Sequence, residues 1–176
     1  MNADAFDALK ERLWTFMHEE IYPNELEFAR QCREIGERSN EWTSPPIMIE
    51  LKRKAKALGL WNLFLPVDSA AMAGVKGGGL TNRQYAEVCE IMGTACHAEF
   101  AAQATNCTSP DTGNMEVLAR YGTRAQQAKW LAPLLEGRIR SAFCMTEPAV
   151  ASSDATNMQL TARRKPGGGY TLQGTK

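Results

Sequence analysis

The stretch Phe143–Met158, FCMTEPAVASSDATNM, gathers most of what could do chemistry in this chain. It places hydroxyls at Thr146, Ser152, Ser153 and Thr156 and carboxylates at Glu147 and Asp154, directly after a short apolar run. A serine hydrolase needs its hydroxyl beside a histidine that accepts the proton. Here there is no GxSxG elbow and no histidine nearby, so that chemistry is set aside. The other candidate is a strand end that offers backbone N–H groups and the Thr146 hydroxyl to a flat heteroaromatic ring, with the following hydroxyls meeting an anionic group. A flavin dinucleotide asks for both: donors near N5 and O4 that favour the reduced ring, and polar groups for its pyrophosphate. The same residues also suit a plain strand end, stiffened by Pro148 and closed by Ser152, Ser153 and Asp154 capping a turn. Composition alone does not choose between these two.

The remaining reactive side chains form no recognisable constellation. His18 sits beside Glu19 and Glu20 and His97 follows Cys96, neither with a second ligand three or four residues away, so both read as solvated or core-edge histidines and no metal site is expected. The five cysteines, Cys32, Cys89, Cys96, Cys107 and Cys144, include no CxxC pair. They read as unreactive thiols in a reducing compartment rather than a disulfide framework or a zinc site. KGGGLTN from Lys76 and PGGGY from Pro166 match neither GxGxxG nor GxxxxGK[ST]; they read as a flexible loop and a hairpin turn.

The elements that must position Thr146 follow from periodicity. Phe6, Leu9, Leu13, Phe16, Met17 and Ile21 form one helical stripe that Pro23 interrupts, and a second stripe runs through Leu26, Ala29, Cys32 and Ile35. Pro46 opens a third helix, with Ile47, Leu51, Ala55 and Leu58 toward the core and Gly59 as its stop. TNRQ at Thr81–Gln84 and TRAQ at Thr123–Gln126 are capping boxes that open two more. Between them, Ser109 and Pro110 start a helix carrying Met115, Val117 and Leu118 that Gly122 ends. Gly137 ends the helix holding Trp130, Leu131, Leu134 and Leu135. Beyond Gly137 the pattern changes to sheet. RSAFCMT reads as a strand, Met158, Leu160 and Ala162 alternate as a half-buried strand, KPGGG reverses the chain and YTLQGTK returns it antiparallel. So small a sheet is marginal by itself, and the carboxyl end is expected to interrupt a domain rather than bound it.

Of 176 residues, 44% are hydrophobic and 23% charged, and 20 basic side chains balance 20 acidic ones. Nothing in that balance would steer the chain to nucleic acid or anionic lipid, and no apolar run is long enough to span a bilayer. The amino terminus carries acids in its first turns and does not read as a secretory signal, so a cytoplasmic location, or a mitochondrial one in a eukaryote, is expected.

MTEPAVASSDATN resembles the first signature of the acyl-CoA dehydrogenase family, whose usual pattern is close to MTEPGAGSD. GLWNLFLP, APLLEGRIRSAFCMTEP, YTLQGTK and PDTGNMEVLARYGT extend the resemblance over nearly the whole chain, most closely to the ten- and eleven-type subgroup. The resemblance implies a mainly α fold: an all-helical amino-terminal domain over residues 1–137, then the start of a truncated antiparallel β-domain over 138–176, with the family's carboxyl-terminal helical domain absent. It further implies FAD as cofactor, with Phe143, Met145 and Thr146 along the ring, Thr146 giving the hydroxyl hydrogen bond near N5 and O4. Ser152 and Ser153 would contact the pyrophosphate side, and Ser153 also the CoA substrate. One departure is that EPAVASSD is one residue longer than EPGAGSD and has Ser152 where the pattern has glycine, which alters backbone approach to the phosphate. Glu147, beside Pro148, is implied to be a structural acid.

The reaction implied is α,β-dehydrogenation of an acyl-CoA thioester, with an electron-transfer flavoprotein as acceptor and a homo-oligomer as the full-length assembly. The catalytic base belongs to the carboxyl-terminal domain, so the 176-residue chain is expected to be inactive alone. Two other readings remain open: a non-catalytic helical interaction module, and a flavin-dependent oxidase or monooxygenase of the same fold.

Overall fold

The computed structural model describes residues 1–38, 43–97 and 99–176. They divide into two compact units, Met1–Ser141 and Ala142–Lys176.

The first unit is helical. Helix α1 (Ala3–Phe16) begins where the Asn2 side chain accepts the Ala5 N–H, and it buries Phe6, Leu9, Leu13 and Phe16. Each such fully buried side chain stabilises the fold by about 1.5–3 kcal/mol. The stripe continues through a wider π turn, Met17–Ile21, which buries Met17 and Ile21. It tightens to a 3₁₀ turn at Tyr22–Asn24, where Pro23 has no N–H to continue the ladder. Helix α2 (Glu25–Arg38) forms as expected but buries none of its residues. Leu26 is 87% exposed, so the expected inward stripe is corrected. Phe28 is instead the side chain that packs inward, its ring stacked on Phe100 at 4.4 Å.

Helix α3 (Pro46–Ala57) has proline at its first position and buries Met48, Leu51 and Ala55, with Ile47 partly buried. Leu58 is exposed, contrary to expectation, because it is the C-cap residue and Gly59 at φ 71 redirects the chain, so that Leu60 fills the core. Two short helices had not been expected: α4 (Val67–Ala73), stopped by Gly74 at φ 71, and α6 (Phe100–Ala104). Both expected capping boxes are formed, Thr81 with Gln84 opening α5 (Asn82–Met92) and Thr123 with Gln126 opening α8 (Arg124–Gln126). Helix α7 (Asp111–Tyr121) follows Pro110 and ends at Gly122. A π turn, Gln127–Leu131, carries α8 into α9 (Ala132–Leu135). In that turn Gln127 donates its side-chain amide to the Ala119 carbonyl and to the Leu118 carbonyl, which also takes the Gly122 N–H at the end of α7.

The core of this unit has two parts. The larger joins the α1 stripe to Met48, Leu51, Leu60, Val88, Phe100 and Ala104; the smaller holds Met115, Ala119, Leu131 and Leu134. Close packing accounts for two glycines of the Lys76 loop: a Cβ on Gly77 would lie 2.8 Å from the Leu65 carbonyl oxygen and one on Gly78 2.3 Å from that of Leu63. At the end of the unit Asp111, 1% exposed, accepts from Arg140 Nε, from the Ser141 N–H at 2.7 Å and from Ser141 Oγ at 2.6 Å.

The second unit contains one antiparallel pair, β1 (Thr161–Arg164) and β2 (Tyr170–Gln173), in register from Thr161 opposite Gln173 to Arg164 opposite Tyr170. The turn closes through Lys165 N–H to the Gly169 carbonyl at 3.0 Å, with Gly168 and Gly169 at φ 90 and 75. RSAFCMT is not a strand. Where its backbone groups near Thr146 are satisfied, side chains rather than a neighbouring strand satisfy them. Met158 and Leu160 are half-buried as the alternation suggested, but they precede β1, and Ala162 within it is exposed.

Candidate functional site

The signature segment is organised around Glu147. Its residue is 5% exposed, and its carboxylate accepts the Gln159 N–H at 2.7 Å, the Leu160 N–H at 3.0 Å and the Lys176 ammonium at 3.1 Å. These donors, the two backbone N–H groups first, hold its pKa below the ordinary carboxylate value. Lys176 also donates to the Met145 carbonyl at 2.8 Å and lies 3.5 Å from the Met158 sulfur. The Glu147 N–H in turn donates to Ser152 Oγ at 2.9 Å. Glu147 is therefore a tie between residues 145–147, 152, 159–160 and 176, not a carboxylate waiting for a proton.

The candidate residues separate around this tie. Phe143 is 69% exposed, Thr146 and Ser153 are exposed, Met145 is half-buried and Ser152 is 4% exposed. Among the described residues the Thr146 hydroxyl has no hydrogen-bond partner, so it is available to donate outward. Ser152 accepts the Glu147 N–H on one lone pair of its oxygen, and its proton is what it has left to offer an anion. Asp154 accepts from the Thr156 hydroxyl at 2.7 Å and the Thr156 N–H at 3.0 Å, opening a 3₁₀ turn at Ala155–Asn157. Those bonds, the hydroxyl first, lower its pKa. The serine hydrolase arrangement is not formed here, since Asp154 engages Thr156 and not a serine or histidine.

Two exposed side chains of the signature segment stand close together in the sequence. They are the Phe143 ring and the unpartnered Thr146 hydroxyl, three residues apart, and the Met145 carbonyl between them is held by Lys176. An aromatic face and a hydroxyl donor are the side-chain chemistry that a flat ring with hydrogen-bond acceptors along one edge would take. Sequence reasoning singled out Thr146 but missed Lys176, whose part in the segment depends on a contact between residues far apart in the chain.

Elsewhere the chain offers less chemistry. His18 is exposed and stacks on Trp14 at 5.8 Å, with Tyr22 edge-on at 5.2 Å. Among the described residues no group of three or more His, Cys, Asp and Glu could hold a metal. All five cysteines are free thiols. Burial pushes the Cys32 and Cys107 thiols up, and the Glu25 carboxylate does the same for Cys96, which makes each a poor nucleophile. A groove of about 650 Å³ between α1 and α3 has an apolar floor of Ala8, Phe16, Ala57 and Leu58, rimmed by Glu11, Arg12, Glu19 and Lys54. No described helix is long and apolar enough to cross a membrane.

Comparison with known proteins places the chain in a family. The family model described as "Acyl-CoA dehydrogenase, N-terminal domain" matches residues 4–138. The chain is 48% identical over 168 residues to "Acyl-CoA dehydrogenase family member 10" of Mus musculus, covering 96% of this chain and 15% of that protein. It is 48% identical over 176 residues to "Probable acyl-CoA dehydrogenase FadE2" of Mycobacterium tuberculosis, covering 100% of this chain and 40% of that protein. A solved structure described as "a putative acyl-CoA dehydrogenase from Mycobacterium abscessus" superposes with a TM-score of 0.81 at 45% identity, covering 99% of this chain and 42% of that one. The chain thus spans well under half the length of these relatives, and over the part it spans it belongs to the acyl-CoA dehydrogenase family.

Proposed function

We propose that this chain contributes one wall of the FAD site of an acyl-CoA dehydrogenase acting on the α and β carbons of acyl-CoA thioesters. The observation that carries the reading is the outward-facing pair Phe143 and Thr146, with the Thr146 hydroxyl unclaimed. Phe143 and Met145 would lie along the ring, the Thr146 hydroxyl would donate to its N5 and O4 edge, and exposed Ser153 would meet the pyrophosphate and the CoA. Ser152 would reach the pyrophosphate side only through its remaining proton. When bound, FAD supplies the acceptor for the hydride that leaves the β-carbon.

The second unit supplies no base. Its two carboxylates, Glu147 and Asp154, are each held by donors and pushed toward the ionised form that takes up protons least readily. In this reading the α-proton goes to a carboxylate outside the 176 residues. The partners that follow are an acyl-CoA substrate and an electron-transfer flavoprotein, with subunits pairing as a homo-oligomer in a cytoplasmic or, in a eukaryote, mitochondrial setting. The test is to titrate the purified chain with FAD and then add a long-chain acyl-CoA and an artificial electron acceptor. Flavin binding without turnover supports the reading; sustained turnover shows that a base lies within the chain, and absence of flavin binding contradicts the site.

A further inference from the structure

The two peptide groups that flank Thr146 are each held by a side chain. The Met145 carbonyl, which belongs to the same planar unit as the Thr146 N–H, accepts from Lys176 Nζ at 2.8 Å. The Glu147 N–H, in the same unit as the Thr146 carbonyl, donates to Ser152 Oγ at 2.9 Å. Because a trans peptide points its N–H and C=O in opposite directions, fixing one fixes the other. Holding both peptide units limits φ and ψ at Thr146, and with them the direction of its Cα–Cβ bond and its N–H.

We infer that Lys176 and Ser152 are positioning residues for Thr146, with the Glu147 carboxylate as the anchor that holds Lys176 in place. The ammonium has three donors, and the Glu147 carboxylate, the Met145 carbonyl and the Met158 sulfur are placed to take them. The inferred role toward flavin rests on the function proposed above, but the geometry does not.

The experiment uses the isotopically labelled 176-residue chain as it stands, with Lys176→Met, Lys176→Arg and Ser152→Ala. Without flavin, the Thr146 Cα and Cβ chemical shifts move in Lys176→Met and Ser152→Ala and return toward wild type in Lys176→Arg, while the β1–β2 cross-strand contacts persist. Unchanged Thr146 shifts in both Lys176→Met and Ser152→Ala overturn the inference. If Lys176→Met disrupts the hairpin, Ser152→Ala, which lies outside it, decides alone. With FAD added, Lys176→Met weakens binding about tenfold, the loss expected for one charge-assisted hydrogen bond acting through Thr146. Moved Thr146 shifts with unaltered FAD affinity contradict the positioning role. Failure of wild type to bind FAD counts against the proposed function and leaves the flavin-free shifts to decide the geometry.

Discussion

Asn106 donates its side-chain amide to Oδ1 of Asn62 at 2.7 Å, and both residues hold positive φ, 56 and 55. The same Asn106 amide reaches the Leu134 carbonyl at 3.0 Å, while Asn62 and Trp61 both donate to the Leu135 carbonyl. Two left-handed corners thus close the end of α9 that Gly137 terminates. Asn106→Ala takes the Asn106 donor from the half-buried Asn62 Oδ1, leaves the Leu134 carbonyl only the Gly137 N–H and puts Ala at positive φ, and should destabilise the first unit by about 2 kcal/mol. Asn106→Gly loses the same bonds but not the backbone fit, and should be less damaging than Ala by about 1 kcal/mol. Thermal denaturation of the two variants checks the order; equal losses would show that the positive φ costs nothing.

Adjacent glycines in the Lys76 loop separate two reasons for glycine. Gly78→Ala drives a Cβ into the Leu63 backbone and should cost about 2–3 kcal/mol. Gly79, at φ 74 with open space around it, should lose only about 1 kcal/mol as Ala and tolerate Asn. Denaturant unfolding of the three variants distinguishes them. A Gly79→Ala loss as large as that of Gly78→Ala would mean that close packing is not the distinguishing cause.

The Thr81 hydroxyl accepts the Gln84 N–H at 3.2 Å and the Gln84 side chain accepts the Thr81 N–H at 3.0 Å. Gln84 also donates to the Met1 carbonyl, and the Met1 ammonium to the Gly79 carbonyl. Thr81→Ala should cost about 1 kcal/mol, and Thr81→Ser should recover most of it. Equal stabilities for the three proteins in urea titration would remove the cap from the account.

Glu147 gives the second unit a defined response to acid. Its pKa is depressed in the folded chain from an ordinary value of 4.5, so the stabilisation it provides is complete above 4.5 and is lost as pH falls through the native value. The Leu160 amide proton, bonded to this carboxylate, should titrate with a midpoint below 4.5, and Glu147→Gln should abolish that transition. A midpoint at or above 4.5 would contradict the network.

What could be read in the sequence was what local chemistry decides. The Thr81 and Thr123 caps, the α1 stripe and the glycine turn after Lys165 each depend on residues a few positions apart, and each is formed. RSAFCMT looked like a strand because strand propensity is local, whereas pairing is not; Lys176 and Ser152 take backbone groups beside Thr146 instead. Leu58 failed because one left-handed glycine turned the stripe. Helices α4 and α6, at 7 and 5 residues, are too short for periodicity to show. At the candidate site the residue types could be named from the sequence. That Ser152 turns inward while Ser153 stays exposed could not, since it follows from the Glu147 N–H needing an acceptor.

The most direct test of the central claim is a map of amide chemical shifts in the labelled chain as FAD is added. The account predicts perturbations concentrated at Phe143, Met145, Thr146 and Ser153, weakened when Thr146 is replaced by Val. Perturbations confined to the α1–α3 groove, or a Thr146→Val chain that responds to FAD as wild type does, would contradict it.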